Sequence, residues 1–480
     1  MSIDIYSSAA DMLTALRNKE ISSIELTELH INRIEAIDDK INAIPVRTFD
    51  MAREAAIAAD KMIAAGDSGA LIGLPLTLKE STLTKGLPQS AGIPDFAQHK
   101  PEQNGLIAQR IFDAGAGLLG KTNIPVALGD WQADSPVYGR TNNPWDLERT
   151  PGGSTGGGGA ALAAGMTPLE IGSDIGGSIR VPAAYCGCFG HRPSETAIPK
   201  SGAFPMADLP NPAFLLGVQG PLARTAKDLS LMFDVIAGPD HFEDTAWRLD
   251  LPAPRGNSIK DFRVGVLTSV MDIPCSNQTV QKLEELTQVL QNHGATTCAA
   301  EPGIDFQAYF ADYMRLLNLM ITQMEPREQR EARAAAARNS SDPFAEATAD
   351  GLTQDAHAFM QVVTRRQIAQ YQWREYFKSV DVIIAPITLD SAFPHQTGAM
   401  EERTLLVDNV ERSYMENILY PSLAIFTGLP ATAIPAGLDD KGLPIGLQII
   451  GPYLEDRTTL KFAELVEEAW VKFQAPPAWS

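Results

Sequence analysis

The sequence predicts an α/β fold, a central mixed β-sheet covered by helices on both faces. Three observations carry this reading. Helical runs alternate with short apolar runs of strand length along most of the chain. Hydrophobic residues make up 44% and charged residues 20% of the 480 positions, the balance of a chain that buries a core rather than a disordered one. Nothing reads as an interdomain linker or an internal repeat. At roughly 150 residues per domain the length would allow about three domains, but a single domain over 1–480 is the expectation.

The first 65 residues read as helices. Ser22-Ser23-Ile24-Glu25 is a capping box, with Leu26, Leu29, Ile34 and Ile37 following at helical spacing. The Ala-rich run from Met51 to Ala65 stops at Gly66. Residues 66–300 form the expected catalytic core. The apolar run Leu71 to Leu78 has strand character and delivers Lys79. Leu106 to Ala114 is helical, and Ala116 to Gly120 leads from it into Lys121. Residues 170–175 and Arg263 to Leu267 fit strands, while Leu229 to Ile236 and Val280 to His293 fit helices. Residues 305–378 are largely helical, an insertion expected to cover the site as a lid, with a solvated Ala/Arg/Glu run from Glu325 to Arg338. Residues 379–480 return to strands at Val382 to Pro386, Ala431 to Pro435 and Gly446 to Gly451, with a turn at Asp439-Asp440-Lys441-Gly442.

Charge narrows the function. Lys and Arg number 39 against 59 Asp and Glu, a net charge of −20, which disfavours a nucleic-acid binder because phosphate contacts need basic surface. The opening Met-Ser-Ile-Asp has no basic or apolar leader, and no stretch approaches the ~18 apolar residues of a membrane helix. A reducing cytoplasm is expected. The cysteines are Cys186, Cys188, Cys275 and Cys298; Cys186-Gly-Cys188 lacks a second Cys/His cluster for a metal site, so this pair reads as buried thiols.

Chemistry concentrates in three places: Lys79, the run Gly152 to Gly159 around Ser154, and Gly172 to Arg180 around Ser178. Neither glycine cluster is followed by the Lys-Ser/Thr of a phosphate-binding loop. Gly152-Gly153-Ser154-Thr155-Gly156 satisfies GxSxG, but the preceding Asn142 to Pro151 is loop rather than the strand a nucleophile elbow requires, and only His395 lies late enough to serve such a serine. That serine–histidine reading is one alternative. The other joins all three places. A buried lysine becomes neutral near pH 7 and can act as base to a serine, and glycines before Ser178 let backbone N–H groups converge on one spot. A helix starting at Ser178 would add its dipole.

These residues resemble the amidase signature family over nearly the whole chain. The resemblance rests on Gly73 to Lys79, Tyr138 to Trp145, Pro151-Gly152-Gly153-Ser154 with its glycine run, Gly172 to Ala184, and Gly442 to Gln448, and on separations of 75 residues from Lys79 to Ser154 and 24 from Ser154 to Ser178. It implies Ser178 as nucleophile, Ser154 as relay on a cis peptide bond after Gly153, and Lys79 as base. It also implies an oxyanion hole from the N–H groups of Ile175, Gly176, Gly177 and Ser178. Gly153, Thr155, Asp174 and Arg180 would support these loops. Leu128, Gly129, Asp130 and Met320 are candidate substrate contacts. No cofactor or metal is implied. The sequence departs from the pattern at Lys79-Glu80, usually Lys-Asp, at Ser154-Thr155, usually Ser-Ser, and in the glycines up to Gly159, where a serine is common.

The expected activity is hydrolysis of linear amide C–N bonds, with esters and carbamates (urethanes) as further substrates, on small apolar or aryl molecules. Gly190 to Ser194 and Leu216 to Arg224 look like stand-alone bacterial arylamidases and urethanase-type members. The alternative of a different class is a partner-dependent glutamine amidotransferase subunit. Formation of a homodimer is left open; nucleic acid and membrane are not expected as partners. His191 is read as a structural loop residue. The apolar residues Tyr309, Phe310, Tyr313, Met314, Leu317, Met320 and Met324 read as a deformable pocket face or as core.

Overall fold

The computed structural model describes residues 3–204, 214–340 and 342–479. Eleven strands form one mixed sheet: β1 (Val46–Arg47), β2 (Pro75–Lys79), β3 (Gly117–Thr122), β4 (Leu169–Asp174), β5 (Phe189–Arg192), β6 (Val218–Ala223), β7 (Arg263–Val266), β8 (Thr296–Ala299), β9 (Val382–Pro386), β10 (Ala431–Leu438) and β11 (Pro444–Ile450). Their spatial order is β1-β3-β2-β4-β6-β5-β10-β11-β9-β7-β8. The two blocks β3-β2-β4 and β9-β7-β8 are parallel, and the strands joining them are antiparallel.

Helices cover both faces, as the alternation of helices and strands predicts. The helices are α1 (Ala9–Arg17), α2 (Ser23–Ile41), α3 (Phe49–Ala65), α4 (Leu106–Asp113), α5 (Gly156–Ala163), α6 (Arg180–Cys186), α7 (Ala226–Ile236), α8 (Asn277–Asn292), α9 (Phe306–Ile321), α10 (Arg327–Arg338), α11 (Ala345–Thr353), α12 (Ala356–Tyr376), α13 (Leu419–Ile425) and α14 (Asp456–Ala469). Strand β9 shows the division: Val382 and Ile384 join a cluster with α1, α4, α7, α8 and α14, whereas Ile383 and Ala385 join one with α6, α9, α12 and α13. Successive strand residues point to opposite faces, so burial on both faces requires the continuous apolar run seen here. No described helix is long and apolar enough to cross a membrane.

Local signals place most elements. The capping box at Ser22 is formed, and Gly66 closes α3 in the left-handed region. Some elements differ. Residues 71–74 form hydrogen-bonded turns, and only 75–79 is strand, because Gly73 and Pro75 interrupt the apolar run. The helix expected from Ser178 starts at Arg180. His191 lies in β5 rather than a loop, fully buried, with Asp456 at 3.2 Å and Thr432 Oγ1 at 2.9 Å from its ring nitrogens. Met324 lies beyond the end of α9 and is 88% exposed, so it does not share the apolar face of that helix. Cys298, on the edge strand β8, is exposed, unlike the other three cysteines.

Candidate functional site

Lys79 ends β2 and is fully buried. Its Nζ lies 2.7 Å from Ser154 Oγ and 2.9 Å from Ser173 Oγ. Burial pulls its proton affinity down to about 7, against the opposing charges of Glu170 and Asp174. Ser154 stands just before α5, and the Gly153–Ser154 peptide bond is cis. Glycine is required at 153 by close approach: a Cβ there would lie 2.3 Å from the Asp130 carbonyl oxygen. No strand precedes Ser154 and its partner is a lysine, so the serine–histidine reading lacks its geometry. His395 is half-buried elsewhere, its backbone N–H donating to the Glu148 carbonyl at 3.1 Å, and burial lowers its ring to about 4.

Ser178 sits in the loop between β4 and α6. It is 6% exposed where Lys79 and Ser154 are each 1% exposed, so it is the member of the three with an opening toward solvent. Thr155 joins the two serine loops. Its N–H donates to the Ser178 carbonyl at 3.2 Å, and its Oγ1 accepts from the Ser173 N–H at 3.4 Å.

Asp174 folds the 174–180 loop. It accepts from the Gly177 N–H at 3.0 Å, the Ile179 N–H at 3.3 Å, and Arg180 Nε and Nη2 at 3.1 Å each. Burial works to raise its carboxyl, but the Arg180 charge and these bonds outweigh burial and hold it below the usual carboxylate range. Arg180 Nη1 reaches Gln448 Oε1 at 2.6 Å, which gives the C-terminal Gly442-to-Gln448 motif a physical role. The Ile175 carbonyl accepts from Tyr313 Oη of α9 and the Gly176 carbonyl from Trp131 Nε1, each at 2.9 Å. Of the four N–H groups expected to form the oxyanion hole, that of Gly177 is engaged by Asp174.

The Tyr138 motif also finds its place. Tyr138 Oη donates to Glu80 at 2.7 Å, and Glu80 accepts from Ser90 N, Ser90 Oγ and Ala91 N. The glutamate that replaces the usual aspartate therefore pins the 90–91 turn.

The candidate substrate contacts diverge. Asp130 is held by Arg403 Nη1 and Tyr414 Oη, both at 2.6 Å, so its carboxylate is neutralised within the protein. Leu128 is half-buried and Gly129 exposed on the preceding turn. Met320 is buried, its Sδ accepting from the Leu215 N–H at 3.3 Å. Cys186 and Cys188 are buried and free, and burial pushes the Cys188 thiol up to about 12. Among the described residues no group of three His, Cys, Asp or Glu side chains is arranged to hold a metal.

Sequence reasoning gave no role to Ser173, Glu170 or Trp131, and took Tyr313 only for part of an apolar face, not for a hydrogen-bond donor to the Ile175 carbonyl. A glutamate inside the apolar strand Leu169-Glu170-Ile171 is the one signal that marks any of them.

The mixed sheet thus brings a buried lysine at a strand end against serines of two neighbouring segments, Ser154 before α5 and Ser173 on β4. The amidase family model matches residues 25–460, and the chain belongs to the amidase family. Among curated relatives, a glutamyl-tRNA(Gln) amidotransferase subunit of Synechococcus sp. is 31% identical, covering 96% of both chains, and its counterpart in Geobacter metallireducens is 29% identical, covering 95% of both. Among solved structures, a bacterial aryl acylamidase of the amidase signature family superposes with a TM-score of 0.81 at 24% identity, over 97% of this chain and 96% of the other. A chain from a vestigial complex tied to the origins of an s-triazine catabolic enzyme has the same TM-score at 26% identity, over 97% of this chain and 100% of the other.

Proposed function

We propose that this chain hydrolyses linear amide bonds of small apolar or aryl substrates through Ser178, Ser154 and Lys79. The observation that carries the reading is Lys79 itself, a fully buried amine 2.7 Å from the Ser154 hydroxyl with its proton affinity lowered to about 7. A neutral amine has two N–H groups and one lone pair. One N–H donates to Ser173, and the lone pair accepts the Ser154 proton. Ser154 in turn takes the proton of Ser178 as Ser178 attacks the carbonyl. The N–H groups of Ile175, Gly176 and Ser178 receive the oxyanion. Tyr313 holds the peptide unit that carries the Gly176 N–H, and Trp131 holds the next unit of the loop, before the charge develops, so little reorganisation is needed. The proton returns through Ser154 to the leaving amine, and water repeats the sequence on the acyl-enzyme. Carbamates and esters present the same carbonyl to the same donors. Asp130 acts on the pocket through Arg403 and Tyr414, as a wall rather than as a free charge.

Residues 305–378 would select the substrate, since α9 reaches the oxyanion loop through Tyr313 and carries Leu317 and Met320. A panel of anilides, aliphatic amides and aryl carbamates tests this. Met320→Ala or Leu317→Ala should reorder aryl against alkyl substrates. A loss of about 2–5 kcal/mol in stability with the ranking unchanged would make α9 core alone.

The second reading is a partner-dependent amidotransferase component, favoured by the full-length likeness to the amidotransferase relatives. Ammonia release from glutamine, with no cleavage of any panel member by the isolated chain, would establish it over the first.

A further inference from the structure

Glu170 is a buried acid that the triad mechanism leaves without a task. It stands on β4, paired in register with Thr77 of β2, two residues before Lys79. Leu76, Leu78 and Ile171 all pack into the cluster on one face of the sheet, so Thr77, Lys79 and Glu170 share the other. Its two carboxyl oxygens are taken by Thr77 Oγ1 and by Thr122 Oγ1, the latter at 2.8 Å. Room for the side chain comes from helix α5. A Cβ at Gly158 would lie 2.5 Å from Glu170 Cγ and 2.7 Å from Cδ. The glycine at 158 is thus the packing counterpart of the glutamate.

We propose that Glu170 is a positioning residue for the triad, a buried carboxyl seated on Thr77 and Thr122 in the space left by Gly158, which balances the charge on Lys79. The proposal rests on Lys79 being the base.

The surroundings leave Glu170 few competitors. Asp174, also on β4, acts on Lys79 but is neutralised by Arg180 at 3.1 Å, with Arg192 at 3.8 Å. Helix α5 contributes only Gly, Ala and Leu to this face. On β3, Thr122 faces Glu170, whereas the Lys121 amine turns to the Pro88 carbonyl. Glu170 can also change charge without losing its partners. Thr77 Oγ1 lies 3.5 Å from the Leu169 carbonyl, so its hydroxyl has a second acceptor when the carboxyl carries a proton and donates to Thr77. Burial raises the Glu170 carboxyl and lowers the Lys79 amine, which brings the two titrations together, so that they influence each other and a proton held by the pair can favour either group. When Lys79 takes up the serine proton it becomes a cation in a dry site, and an adjacent carboxylate favours that form.

The test follows the rate at which phenylmethylsulfonyl fluoride labels Ser178, from about pH 5 to 10, a range that brackets both titrations. In the unsubstituted protein the rate should rise through about 7. In Glu170→Gln, which keeps size and both threonine contacts, the midpoint should move to lower pH by about one unit or more. The double variant Glu170→Ala with Gly158→Ser refills the space by another route and should show the same shift, while a folded Glu170→Asp should restore part of it. An unmoved midpoint in both folded charge-removing variants overturns the proposal and leaves the triad intact. If labelling is instead flat around pH 7 and Lys79→Ala labels as fast as the parent, the base assignment itself fails, and the role of Glu170 fails with it.

Discussion

Lys79 and Lys121 sit near the C-terminal ends of neighbouring parallel strands, β2 and β3, each after a short apolar run. Both are buried, and burial lowers both, Lys79 to about 7 and Lys121 to about 8. By desolvation alone either could serve as a base near neutral pH. Their contacts differ. The register pairs Lys79 with Thr122 and Lys121 with Leu78, after an irregularity between Leu76 and Thr77, which turns the two amines to opposite faces. Lys79 meets two hydroxyls, whose protons can move. Lys121 meets the Pro88 carbonyl, which has no proton to give, and lies in the field of Glu80. A lowered proton affinity makes a lysine available; the groups it touches decide whether it has chemistry to do.

The largest effect expected from this contrast is on rate. Ser178→Ala and Lys79→Ala should each lower amide turnover by about 10³-fold or more, because members of one proton-transfer unit fail together. Both variants should fold, which circular dichroism and gel filtration check. Retention of more than a tenth of the activity by Ser178→Ala would remove it as nucleophile.

The pH profile sharpens the comparison. The base must be neutral, and protonated Lys79 accumulates below about 7. The kcat/KM should therefore be level above that value and fall about tenfold for each pH unit below it. Lys79→Ala should flatten this limb. A limb that survives there unchanged would belong to another group.

The same contrast shows what a sequence can and cannot display. Strand and helix positions were legible where periodicity and caps agree, as at Ser22 and Gly66 or in the run Val382 to Pro386. The triad candidates were legible because three motifs with fixed separations coincide with a family pattern. Lys121 looks as promising as Lys79 in isolation, and only strand register assigns each a face. Asp130 resembled a free substrate contact because its partners, Arg403 and Tyr414, lie 273 and 284 residues away. His191 passed for a loop residue because Gly190 and Pro193 flank it, while Asp456, 265 residues on, buries it in β5. Such pairings exist only once the sheet has closed.

The smallest kinetic effect should come from Lys121→Met, where the structural role of this lysine is read most directly. Its removal leaves the Pro88 carbonyl without a donor, which costs about 1–3 kcal/mol. That loss is offset by relief of a buried cation at neutral pH. The balance depends on pH with a definite sign. The folded protein releases the Lys121 proton near 8, while the unfolded chain holds it to about 10.5. Between those values the unfolded chain binds more protons, so Lys121 makes the parent more stable as pH rises. Methionine has no such term. The stability gap between parent and variant, measured by urea unfolding at about pH 7.5 and 9.5, should widen toward the higher pH, by at most about 1.4 kcal/mol per unit. Followed through neutral pH, the acid limb of the variant's activity should stay at about 7, since Lys79 is untouched. A displaced limb would mean that the two lysines titrate as one unit across the sheet.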